Sequence, residues 1–289
     1  MSSLIADSAL IADVLGQDPV GLEPLAGGCI ARVYRVACDD GKTLAAKVNT
    51  DAEPTLDVEA FMLEFLRARS VLVVPRVVVS TSQVLVMDYV EHSGGASDTG
   101  LRELARGLAG LHGQYGSAFG FECDTLIGPL IQPNPEMASW RAFYAEHRLR
   151  HFAGVARHRG GLSVGLLDRC QRAADRIGDW IDDDEEPTLV HGDLWAGNVL
   201  WRDGQVAALI DPAVHFAHRE VELAFMDLFG SFGSEFWTRY HDLSPIRDGF
   251  WETRRHVYRL YPLLVHVALF GGSYASMLSG ELDALGVPG

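Results

Sequence analysis

Strand patterning and helix patterning occupy different stretches of this chain, and that segregation limits its fold more than any other feature. Short apolar runs lie at residues 22–26, 32–37 and 43–48, divided by Gly27-Gly28 and by Asp39-Asp40-Gly41. Two more follow at 77–80 and 84–87. Runs of this length between glycine- and aspartate-rich turns predict an antiparallel meander of five strands. Helical spacing frames them. Leu4, Ile5, Ile11, Val14 and Leu15 share one side of residues 3–15, and Val58, Phe61, Met62, Phe65 and Leu66 share one face of 57–69. The Gly- and Ser-rich stretch 91–100 reads as a loop. Beyond it helices dominate, over 101–112, 138–156, 163–180 and several segments after Glu220. The exception is a hairpin of 199–201 and 206–210, turned at Asp203-Gly204. The predicted class is α+β and bilobal. Residues 1–90 make a small lobe of a five-stranded antiparallel sheet with helix, and residues 91–289 a larger, mainly helical lobe.

A length of 289 residues suffices for two such lobes around a large core. The net charge of −15 opposes a nucleic-acid partner, because phosphate backbones are bound through a basic face. A cationic small molecule suits the acidic field. No apolar run approaches bilayer length; the longest, 263–270, carries His266 and follows Pro262. No basic residue precedes Arg32, so the positive start of a secretory signal is missing and a cytoplasmic location without a membrane partner is expected. Cys29, Cys38, Cys123 and Cys170 form no CxxC pair, which fits reduced thiols and no zinc site. The acidic run Asp182–Glu186 reads as a solvated loop before a buried strand.

The chemistry lies in His191-Gly192-Asp193-Leu194-Trp195-Ala196-Gly197-Asn198, the hairpin after it, and Ile210-Asp211-Pro212. Alone, His-Gly-Asp is as readily a turn with a capping aspartate. An asparagine five residues on, and a hairpin returning a second aspartate, change the reading. Phosphoryl transfer from ATP needs a carboxylate to orient and deprotonate the attacking hydroxyl, and oxygens to hold Mg2+ against the phosphates. Asp193 fits the base, and Asn198 and Asp211 fit the metal ligands. The spacing reproduces the kinase loop H-x-D-x-x-x-x-N and its later metal-binding aspartate.

The upstream half agrees. Lys47 lies in the strand where a kinase places the lysine that grips the α- and β-phosphates, and Glu59 follows twelve residues later on a helix as its partner. Glu64 is the rival partner. A strand lysine by itself is usually an exposed snorkelling side chain, so its order with the other motifs singles Lys47 out. Gly27-Gly28-Cys29, between two strands, can cover phosphates with backbone amides, though it does not match GxGxxG. Cys29 there fits an oxidisable thiol and a small apolar filler equally. Met87, Asp88 and Tyr89 end the last strand and are expected to pass the adenine, offering main-chain hydrogen bonds.

With these residues the chain resembles the fructosamine kinase (ketosamine kinase) family, a branch of the aminoglycoside-phosphotransferase and protein-kinase-like superfamily. His191–Asn198 and Asp211 suggest the superfamily. The narrower family is carried by Gly27-Gly28-Cys29-Ile30, Phe119-Gly120-Phe121, Gln132-Pro133-Asn134 and Trp140-Arg141-Ala142-Phe143-Tyr144. His218-Arg219-Glu220, Leu228-Phe229-Gly230, Tyr258–Leu264 and Leu269-Phe270-Gly271-Gly272 are the most specific segments. The resemblance spans nearly the whole chain. It implies ATP- and Mg2+-dependent phosphorylation of O3 of a ketosamine, as a small molecule or on a glycated protein lysine, after which the product breaks down and frees the amine. Trp195 is then a candidate to stack on the sugar-amine and contact its protonated nitrogen. Arg219 and Glu220 are candidates to shape the acceptor site, or else an ion pair bracing that segment.

Three positions depart from the family pattern. Ala31 replaces a commonly polar residue after the Gly-Gly-Cys-Ile turn. Pro135-Glu136 stands where the family usually continues Thr-Trp, which bears on the acceptor side. Glu222 occupies the place of an aspartate that usually holds the catalytic loop. The competing enzyme reading is transfer to another amino alcohol, such as an aminoglycoside or a choline-like molecule. A non-catalytic pseudokinase is the reading of a different class, and the intact set of Lys47, Asp193, Asn198 and Asp211 speaks against it.

Overall fold

The computed structural model describes residues 2–25, 31–51, 55–230 and 232–289. In the small lobe α1 (Ser2–Leu15) leads into β1 (Gly21–Leu25), β2 (Arg32–Ala37) and β3 (Thr43–Val48). Next come α2 (Leu56–Arg67), β4 (Val77–Ser80) and β5 (Val84–Asp88). The five strands form one antiparallel sheet in the order β1-β2-β3-β5-β4. Alternation along each strand decides which face a residue serves. Tyr34, Val36, Leu44, Ala46, Val48, Val84 and Val86 pack with Ile11 of α1. Leu85 and Met87 join the other face, with α2 and the main core. Lys47, paired with Leu85, points to that second face, toward the cleft.

The large lobe opens with α3 (Asp98–His112), which starts three residues earlier than expected because Ser97 Oγ accepts from the Gly100 N–H at 3.1 Å and caps it. Two short strands, β6 (Thr125–Ile127) and β7 (Leu130–Gln132), make a hairpin that the sequence reading did not contain. The expected helix 138–156 is α4 (Trp140–Phe143), a π-helical turn (Tyr144–Arg150) and α5 (His151–His158). The expected helix 163–180 is α6 (Val164–Asp175) and a short 3₁₀ turn. β8 (Thr188–Val190) precedes the expected hairpin of β9 (Val199–Arg202) and β10 (Gln205–Leu209), and β11 (His215–Ala217) returns to pair with β8. The rest is α7 (Glu220–Leu228), α8 (Ser234–Leu243), a second π turn (Phe250–Arg254), α9 (Arg255–Phe270) and α10 (Ser273–Ala284). No helix among the described residues is long and apolar enough to cross a membrane.

Candidate active site

The β8–β11 pairing clamps both ends of the excursion that carries the chemistry: β8 stops at Val190, just before His191, and β11 begins at His215, just after Asp211-Pro212. Gly192 sits at φ +87°, and a Cβ there would lie 2.1 Å from the Ala213 carbonyl oxygen, so the turn admits only glycine. The Ala213 N–H closes the same contact by donating to the His191 carbonyl at 2.7 Å.

Glu222, in the first turn of α7, holds this loop. Its Oε1 accepts from the Gly192 N–H at 2.7 Å and its Oε2 from the His191 N–H at 3.2 Å. His112 Nε2 lies 2.9 Å from the same Oε2, while its Nδ1 meets the Tyr240 hydroxyl at 2.6 Å. Burial would raise the Glu222 carboxyl, but His112, then His191 and the Gly192 amide, outweigh it and hold the group below the ordinary glutamate value. Glutamate therefore performs the bracing at this position. His191 Nδ1 accepts from the Asp193 N–H at 3.3 Å, which leaves the Nε2–H to donate to the Ile210 carbonyl at 3.1 Å. Burial lowers its pKa, with Glu222 and the Ile210 carbonyl opposing.

Asp193 is half-buried, and the Asn198 amide nitrogen donates to its carbonyl oxygen at 2.7 Å and its Oδ2 at 3.2 Å. Burial pushes the Asp193 carboxyl well above the usual range; Asp211 and Glu222 add to this and Asn198 opposes it. Such a carboxylate takes up a proton more readily, as a base must. Asp211 has φ +54°, and it is one of two non-glycine residues with positive φ among the described residues. Backbone of this kind persists where the surroundings over-determine it. Across the cleft Lys47 Nζ donates to Asp211 Oδ1 and to Glu59 Oε1, each at 2.6 Å. Burial works against the charge, but Asp211 and Glu59 outweigh it and hold the ammonium charged. The rival Glu64 is exposed.

The donor set suits Mg2+. With its nitrogen spent on Asp193, Asn198 has its side-chain oxygen left as a donor, and Asp211 supplies a carboxylate. No group of three or more His, Cys, Asp or Glu among the described residues could hold an ion by itself. One or two protein oxygens completed by phosphates and water is how this ion is held in nucleotide sites.

The remaining candidates fall as follows. Gly27, Gly28 and Cys29 lie outside the described residues. Met87 is buried in the core, the Asp88 carboxylate pairs with Arg76 at 3.0 Å, and Tyr89 lies 5.3 Å under the Arg35 guanidinium. Trp195 is 41% exposed, its ring lying over Gly197, where a Cβ would come within 2.4 Å of it. Arg219 and Glu220 are engaged internally. Glu220 is buried in a two-point pair with Arg254 at 2.6 and 2.8 Å, and Arg219 binds Ser244 Oγ and, at 2.8 Å, the Pro245 carbonyl. Each is thus held by a partner other than its neighbour.

Asp193, Gly192 and Glu222 also line a small, mostly enclosed pocket, with Ile127, Phe225, Tyr261 and His266 among its other walls. The sequence reading did not anticipate its support. Gln132 Nε2 donates to Thr125 Oγ1 at 2.8 Å and to the Ala213 carbonyl at 3.2 Å, and its Oε1 accepts from the Tyr261 hydroxyl at 2.5 Å. Asn134 bonds Thr125 Oγ1 at 2.7 Å and the fully buried Arg148 at 2.6 Å. The Gln-Pro-Asn motif thus ties the β6–β7 hairpin to the segment after Asp211. Pro135 turns its carbonyl to Gly120, where a Cβ would lie 2.4 Å away.

A lysine–glutamate pair on the small lobe, facing a loop carboxylate and a positive-φ aspartate on the large one, defines a phosphotransferase of the protein-kinase-like fold. The Fructosamine kinase family profile matches residues 4–285, and this chain belongs to that family. It is 35% identical over 255 residues to a Synechocystis sp. protein assigned as a ketoamine kinase, covering 86% of this chain and 85% of the relative. The chloroplastic protein-ribulosamine 3-kinase of Oryza sativa subsp. japonica is 30% identical over 298 residues, covering 94% of this chain and 85% of the relative. A Thermobifida fusca crystal structure assigned as a fructosamine-3-kinase superposes with a TM-score of 0.85 at 31% identity, covering 96% of this chain and 97% of that one.

Proposed function

We propose that this chain transfers the γ-phosphoryl group of ATP, with Mg2+, to the O3 hydroxyl of a ketosamine, free or on a protein lysine, in the cytoplasm. The observation that carries the reading is the meeting of Asp193, Asn198 and Asp211 with the Lys47–Glu59 pair at one cleft. The ketoamine and ribulosamine acceptors named for its relatives support the substrate class. Asp193 accepts the proton of the attacking hydroxyl as the new O–P bond forms and the bond to ADP breaks. Lys47, oriented by Glu59, grips the α- and β-phosphates, and Met87–Tyr89 pass the adenine with main-chain hydrogen bonds. Asn198 and Asp211 would hold Mg2+, which when bound would supply neutralising charge to the phosphate oxygens. Trp195 stacks on the sugar-amine from the open side.

Incubation with magnesium-ATP and either ribulosyl-lysine or fructosyl-lysine tests this, with mass spectrometry for the added phosphoryl group and phosphorus NMR for its position. Transfer to O3 is expected. ATP binding with no transfer to either compound would overturn the acceptor assignment and direct the search to other amino alcohols.

A further inference from the structure

Phe119-Gly120-Phe121, a motif that the phosphoryl-transfer machinery leaves unused, is tied into both lobes. Phe119 exchanges backbone hydrogen bonds with Met137, each at 2.9 Å, and its ring centre lies 5.1 Å from that of Trp140 in the helical core. Gly120 exchanges them with Phe216 of β11, at 2.9 and 2.8 Å. The buried Phe121 ring meets α2 of the small lobe instead. It stands edge-on to Phe65 with ring centres 4.7 Å apart, and its centre is 6.1 Å from that of Phe61, one turn earlier. Its third aromatic neighbour is Phe216, at 6.1 Å.

One side chain therefore touches both halves of the site. α2 carries Glu59, and β11 closes the excursion that carries Asp211. Lys47 Nζ bonds both carboxylates at 2.6 Å, so the spacing of α2 from that excursion decides whether one ammonium can reach the two. The far end of α2 is moored separately. Gln114 Nε2 of the large lobe donates to the Arg69 carbonyl at 2.6 Å, and the Arg69 guanidinium lies 3.6 Å over the Phe65 ring. The Phe121 contacts fall closer to the chemistry, within two turns of Glu59.

We propose that Phe121 is a positioning residue, wedged between α2 and β11, that sets the place of Glu59 and through it the reach of Lys47 toward the phosphates. The proposal rests on the reading of Lys47 as the phosphate lysine and adds what aims it.

The test needs no acceptor. Calorimetry measures the Kd of a non-hydrolysable ATP analogue with Mg2+, well below each variant's melting temperature so that loss of fold does not enter. Phe121→Leu keeps apolar bulk and removes the ring edge. It should raise the Kd about threefold to tenfold, the worth of one aromatic pair. Phe61→Leu changes an exposed position, where folding is not at stake, and should raise it about twofold. In a Glu59→Gln background Phe121→Leu should add nothing, because the group through which it acts is already lost. An unchanged Kd in either leucine variant would overturn the inference. A rise that persists undiminished beside Glu59→Gln would overturn the route through Glu59. Failure of the wild type to bind the analogue would instead sink the kinase reading, a separate result.

Discussion

At the residue scale, function here rests on a few groups whose chemistry leaves little choice of side chain. Asp193→Asn keeps the shape of the loop and removes the proton acceptor. Turnover should fall by about 10²–10⁴, the usual worth of a positioned base, while binding of an ATP analogue persists in calorimetry. A variant that keeps most of its turnover would deny Asp193 the role. Gly192→Ala tests the frame: the added Cβ meets the Ala213 carbonyl in a backbone region closed to alanine. It should destabilise the fold by about 1–3 kcal/mol, read as a lowered melting temperature, together with lost activity as the 191–193 turn shifts. The residues proposed as base, metal ligands and phosphate lysine stand out in sequence because the proposed reaction dictates both residue type and spacing. The partners of Glu222, Arg219 and Glu220 do not. His112 reaches Glu222 from 110 residues upstream, and Arg254 reaches Glu220 from 34 residues downstream. Those pairings are set by packing, which leaves no local pattern.

At the element scale, legibility follows length. The long helices and the five strands of the small lobe carry enough turns or alternations to display a period. β6, β7 and β11 have three residues each and display none, whereas β8, equally short, is marked by the acidic run ahead of it. The π-helical turns are equally silent, since they shift a helix by one residue inside an otherwise regular pattern. α9 holds an instructive exception to regularity. Pro262 sits inside it and cannot donate to the Tyr258 carbonyl one turn back. The Tyr144 hydroxyl, from the π turn after α4, bonds the Val257 carbonyl at 3.0 Å and the Tyr258 carbonyl at 3.2 Å. Tyr144→Phe leaves the Tyr258 carbonyl buried without its donor and should cost about 1–3 kcal/mol in urea unfolding. Pro262→Ala gives α9 back its N–H, so in that background the Tyr144→Phe cost should shrink. A cost that stays the same in both backgrounds would mean the hydroxyl is not the substitute donor.

At the scale of the whole molecule the apolar interior is divided unequally. One large cluster runs from α2 and the inner face of the sheet through the helical lobe, and a small one lies between the outer face of the sheet and α1. The small cluster is fastened by a polar latch. Asp7, 1% exposed, accepts from Arg32 at 2.6 and 2.7 Å and from the Tyr34 hydroxyl at 2.5 Å. Elements held by fewer buried contacts open first, so α1 should exchange its amide hydrogens sooner than α9 does. Arg32 above all, against the cost of burial and with help from Tyr34, holds the Asp7 carboxyl below the ordinary aspartate value. A carboxyl lowered in the folded state stabilises it fully above the unfolded value of about 3.9, and the contribution is lost as pH falls through the folded value. Asp7→Asn should therefore speed exchange in α1 by about 10–100-fold at pH 7, equivalent to ~1.5–3 kcal/mol for hydrogen bonds to a charged group, and leave α9 unaltered. At pH 3, after correction for intrinsic exchange, the wild type should move toward the variant, because that pH lies below the unfolded value and the open state then takes up a proton that the paired carboxylate resists. Faster exchange in α9 as well would make the latch global, and a gap as wide at pH 3 as at pH 7 would remove the carboxylate charge as its cause.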